Sequence, residues 1–147
     1  MNRLEMTRSD VLVSDITSSA THSHTIDTIG FGYAAIDVSF EPVAAAGGTT
    51  NTLLNVLTLT QSDSSGGTYA AVTGFVAGTD WTIPAPPGTG VSGTVRFNVN
   101  LEGKKRFLKL SVTPKVDQAL VTNVSLGVAE ASPTNATTAN TTIFVSG

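Results

Sequence analysis

The stretch "TVRFNVNLEGKKRFLKLSV", Thr94 to Val112, decides the fold class. Before its Gly-centred turn, Val95, Phe97, Val99 and Leu101 alternate with Arg96, Asn98 and Asn100. After the turn, Leu108, Leu110 and Val112 fall on one side, with Phe107, Lys109 and Ser111 on the other. Side chains two apart in a strand share a face, so each half predicts a strand with one buried face. Two such runs joined across "EGKK" read as an antiparallel hairpin.

The same period recurs outward from this hairpin. "YAAIDVSF" places Ala34, Ile36, Val38 and Phe40 inward, and Leu120 to Val128 offers Leu120, Val124, Leu126 and Val128, with Thr122 tolerated among them. "LLNVLTLT" begins apolar on both faces, which predicts a strand covered on both sides. Shorter candidates are Val11–Val13, Thr25–Ile29, Tyr69–Val72, Asp80–Ile83 and Thr142–Val145. Turn clusters such as "QSDSSGGT" and "PAPPGTGVSG" separate them, and no long helical stripe survives the Gly, Pro and β-branched residues. The reading is an all-β, single-domain antiparallel β-sandwich over residues 25–130, with a jelly roll as its expected version. Residues 1–24 are expected to form a polar N-terminal arm, and 131–147 a C-terminal tail carrying a last short strand.

Composition narrows the function. The 147 residues carry a net charge of −3, only 13% are charged, and Ser and Thr make up about a quarter. A chain without cysteine has neither a disulfide framework nor a thiolate site. "MNRLEMTRSDVLVSD" has no apolar run before its acidic residues, so no cleaved leader is expected, and no stretch reaches the ~20 apolar residues of a membrane helix. His22 and His24, spaced to share a strand face, are weighed as metal ligands with Asp27; two exposed histidines in a polar arm is the favoured alternative. The carboxylates are scattered singly, and no nucleophile elbow, P-loop or dinucleotide fingerprint occurs. No enzyme, cofactor or metal is therefore expected.

Five of the eight Lys and Arg residues lie at Lys104, Lys105, Arg106, Lys109 and Lys115. A nucleic-acid surface would carry more cations on other strands, interleaved with aromatic platforms. The expected role is protein contact through Lys104, Lys105, Arg106, Phe107 and Lys109, where charge steers and a ring buries. Trp81 and Tyr33 are the candidate glycan contacts of an alternative reading.

Three segments carry a family resemblance: "DTIGFGYAAIDVSF", "LTLTQSDSSGGTYAAVTGFVAGTDWTIP" and "VRFNVNLEGKKRFLKLSVTP". In this order they resemble small virion proteins of tailed bacteriophages, over residues ~25 to 115. The resemblance implies a capsid decoration (cement) protein, made in the host cytoplasm and bound to the major capsid protein on the outer surface of the virion. It implies a homo-oligomer, with a trimer favoured, and brings no catalytic residues. The alternative is a tail-fibre or host-attachment carbohydrate-binding module. Neither nucleic acid nor membrane is expected as a partner.

Overall fold

A computed structural model describes residues 8–17, 20–40, 54–83, 93–115, 117–127 and 143–147. The described strands are β1 (Arg8–Ile16), β2 (His22–Asp27), β3 (Tyr33–Phe40), β4 (Leu54–Ser62), β5 (Ala70–Val76), β6 (Gly93–Asn100), β7 (Phe107–Pro114), β8 (Gln118–Gly127) and β9 (Ile143–Ser146). They form two sheets, ordered β1-β8-β3-β6-β9 and β2-β7-β4-β5. Every pair is antiparallel except β6 with β9.

The pairs nest. β1 meets β8, β2 meets β7, β3 meets β6 and β4 meets β5, as in a long hairpin closed at β4–β5. Wrapping that hairpin adds β3 to β8 and β4 to β7. The inward faces are those the alternation marked. Ala34, Ile36, Val38 and Phe40 of β3 pack with Val95, Phe97 and Val99 of β6, Leu108, Leu110 and Val112 of β7, and Leu120, Val124 and Leu126 of β8. Thr122 lies fully buried among them.

Three expectations are corrected. The described part of residues 1–24 is not an arm apart from the domain: β1 runs along β8 from Arg8↔Leu126 to Ile16↔Gln118, and β2 supplies an edge of the other sheet, while residues 1–7, 18 and 19 lie outside the described residues. An edge strand needs one ladder and one packed face, so a polar sequence is no bar. β4 is not covered on both sides either. A register shift between Leu54 and Val56 sends Leu54 and Leu57 inward and leaves Val56 exposed.

The third concerns Asp80–Ile83, which is no strand. Asp80 Oδ2 accepts hydrogen bonds from the backbone N–H of Gly74 and of Val76, both at 2.9 Å. This folds the chain back so that only the bridge Ala77↔Trp81 remains. The same carboxylate fastens the irregular stretch of β5, where Thr58 pairs with Val76 but Thr60 with Ala71. Asp80→Ala is expected to lower stability by about 1 kcal/mol, read by urea denaturation. Asp80→Asn, which keeps one acceptor, should recover part of the loss. The expected final short strand is present as β9, with Val145 buried, while Val128 and residues 131–142 lie outside the described residues.

Candidate functional site

The turns β2–β3 (28–32), β4–β5 (63–69) and β6–β7 (101–106) gather at one end of the sandwich. Backbone and side-chain bonds tie them together. Thr28 donates to the Arg106 carbonyl twice, from its N–H at 3.0 Å and its hydroxyl at 2.7 Å. Leu101 N–H donates to Gly32 O and Gly32 N–H to Gly127 O, each at 3.0 Å. Lys105 N–H donates to Gln61 Oε1 at 3.0 Å. Gly30 and Gly103 stand at φ +84° and +72°, in the left-handed region where a Cβ is disfavoured, which lets both turns close tightly.

The expected basic rim lies here, but three of its four cations, Lys105, Arg106 and Lys109, meet a carboxylate or an aromatic ring. Arg106 grips Asp27 with two bonds, Nε to Oδ1 at 2.9 Å and Nη2 to Oδ2 at 2.8 Å. The hydrogen bonding to Asp27 raises the guanidinium pKa above its ordinary value, with burial opposing it and the carboxylate charge adding to it. Lys105 Nζ meets Asp63 Oδ2 at 2.5 Å. With Glu102, Lys104 and Lys109, the described residues of this end carry three carboxylates against four cations. A phosphate backbone approaching it would meet nearly as many acids as bases, so the arrangement suits a protein surface of mixed charge better than a polyanion.

Phe107 faces outward at the start of β7 and is half-buried, with the Arg106 guanidinium carbon 4.8 Å from its ring centroid. Lys109 stands two positions along, its ammonium 3.8 Å from the centroid of Tyr69. Both contacts have cation–π geometry. The five expected contact residues thus share a hairpin, but they do not form a free cationic strip. The exposed apolar side chain at this end is Ile29, 59% accessible at the tip of the β2–β3 turn. Its N–H is held by Asp27 Oδ1 at 3.2 Å, so the ion-paired carboxylate also shapes the turn that presents Ile29. Ile29 stands in the turn rather than in the expected strand Thr25–Ile29, because β2 ends at Asp27; the signal for this is an apolar residue inside an Asx-type turn, "DTIG".

The two glycan candidates do not make a platform. Trp81 packs against the core, edge-on to Phe97 with centroids 5.7 Å apart and planes at 82°. Tyr33 lies on the outer face of β3, opposite in direction to the inward Ala34. A flat sugar ring could not stack on both.

His22 and His24 are buried, contrary to the expectation of exposed residues. They occupy inward positions of β2 and meet Thr122 across the sandwich. Among the described residues no group of three or more His, Cys, Asp or Glu side chains is placed to hold a metal ion. On the outer face of the other sheet, Arg96 binds Asp37 directly opposite it, at 2.6 Å through Nε and 2.5 Å through Nη2. That pair is cross-strand stitching in a half-buried setting.

No protein-family model matches the chain, and no curated protein matches it.

Proposed function

We propose that this chain is a structural virion protein that decorates and stabilises a phage head by binding the major capsid protein. It acts on the outer capsid surface as a homo-oligomer, with a trimer favoured, and has no catalytic role. The observation carrying the reading is the preformed loop end, where three turns are locked by ion pairs and backbone bonds around the exposed Ile29. A rigid, mixed-charge surface with an apolar tip binds protein with little ordering cost, because its side chains are already held. The resemblance of the segments from Asp27 to Pro114 to phage virion proteins points the same way. The nested pairing of β1–β8 supports a jelly roll as the form of the sandwich.

Many copies on a lattice let modest single contacts add through avidity. Purified protein mixed with undecorated capsids is expected to co-sediment with them. Ile29→Asp should weaken binding about tenfold or more, as for a buried interface anchor, while leaving the fold intact. Failure of the wild type to co-sediment at any concentration would remove the cement reading.

A further inference from the structure

We propose that the His22–His24–Thr122 contact is an acid-operated latch that holds the edge strand β1 in the sandwich at neutral pH and releases it in mild acid. The two rings are 6% and 5% exposed and stand on the inward face of β2. His24 Nδ1 lies 2.8 Å, and His22 Nε2 3.5 Å, from the single oxygen of Thr122 on β8. Thr122 in turn donates to the Leu12 carbonyl of β1 at 3.5 Å.

A threonine hydroxyl has one proton and two lone pairs. With its proton on the Leu12 carbonyl, it can accept one ring N–H from Nδ1 of His24 and one from Nε2 of His22. A further proton on His22 places a charge inside the sandwich beside a second histidine.

The described side chains of β7 and β8 offer that charge little. Leu110 and Val112, the register partners of His24 and His22 on β7, are apolar and buried. On β8, Thr122 is flanked along its inward face by Leu120 and Val124. β1 brings Leu12 opposite Thr122, with Ser14 opposite Leu120. Its charged residues in the same alternating set are Asp10, opposite Val124, and Arg8, opposite Leu126. Burial, and then the neighbouring His24, lower the pKa of His22 below its ordinary 6.5.

The sign follows from linkage. Folded His22 binds a proton less tightly than unfolded His22, so its contribution to stability is intact above pH 6.5 and is lost as pH falls below it, down through the folded value. One proton can change the folding constant by at most about tenfold per pH unit. β1 yields first because it is an edge strand whose single ladder is to β8, the strand that carries Thr122.

The test compares wild type with His22→Gln by urea denaturation from pH 7.5 to 5.5, a range above ordinary carboxylate titration. Gln keeps an N–H donor and cannot be protonated. The wild-type folding constant should fall across the range and that of H22Q should stay flat. In wild type at pH 5.5, hydrogen exchange should open Val11 to Val13 before β6, after correction for intrinsic rates. An H22Q variant that keeps the wild-type pH dependence overturns the proposal, as does β1 protection that outlasts β6 in acid. Should H22Q not fold, the wild-type His22 ring followed by NMR decides. Titration below the unfolded-histidine value together with early β1 opening supports the latch, and titration at or above that value overturns it.

Discussion

Truncating Phe97 to alanine is expected to cost about 3–5 kcal/mol, a large share of the 5–15 kcal/mol that holds a typical domain together. Phe97 is wholly buried on the inward face of β6. Its ring meets Phe75 of β5 edge-on, with centroids 5.4 Å apart and planes at 75°, and meets Trp81 at 5.7 Å. It therefore joins the two sheets and also seats the bridge that closes the 78–80 turn. Alanine removes both aromatic contacts and leaves a cavity that β-sheet walls cannot easily collapse, whereas Phe97→Leu should retain about half of the stability. Urea denaturation measures the loss. Trp81, the one tryptophan of the chain, reports it locally through a red-shifted emission in the folded variant. A loss below about 1 kcal/mol would mean that Phe97 does not link the sheets.

Phe97 was legible in advance because "TVRFNVNL" states its own period. The same holds for Ile36, Leu110 and Leu126, whose burial follows from alternation alone. What alternation omits is the partner. β1 and β8 lie more than a hundred residues apart, and nothing local in "RSDVLVSDI" names "QALVTNVSLG" as its neighbour. The charge pairs were hidden for the same reason. Arg106 finds Asp27 at a separation of 79 residues and Lys105 finds Asp63 at 42, so a run that reads as a basic patch folds into an end of mixed charge.

The histidines were missed for another reason. "HSHTID" does alternate, with His22, His24 and Ile26 in phase, but two polar residues conceal an inward face unless a hydroxyl such as Thr122 waits opposite. Polar core contacts are specified by pairs, and a single strand shows only half of each pair.

Glycine 93 offers the sharpest test of packing, because the same substitution should change sign with its background. Gly93 opens β6 directly opposite Phe40 on β3. A Cβ built there would stand 2.1 Å from Cζ and 2.2 Å from Cε2 of Phe40, inside any allowed contact. The Phe40 ring lies over the glycine and uses the missing side chain as its seat, an arrangement in which an aromatic residue covers a strand glycine. Gly93→Ala is expected to cost about 1–3 kcal/mol by pushing a ring that is 3% exposed out of its place. Phe40→Ala alone should cost about 3–5 kcal/mol, as for a buried phenylalanine. In that background the Cβ meets no ring, and alanine in a strand exceeds glycine by about 0.5–1 kcal/mol, so Gly93→Ala should become mildly stabilising. The double-mutant cycle should then give a coupling of about 1.5–4 kcal/mol, as large as residues in direct contact show or larger. Additive losses in the cycle would mean that the ring is not seated on Gly93, and that the β3–β6 register at this end is set by something other than this contact.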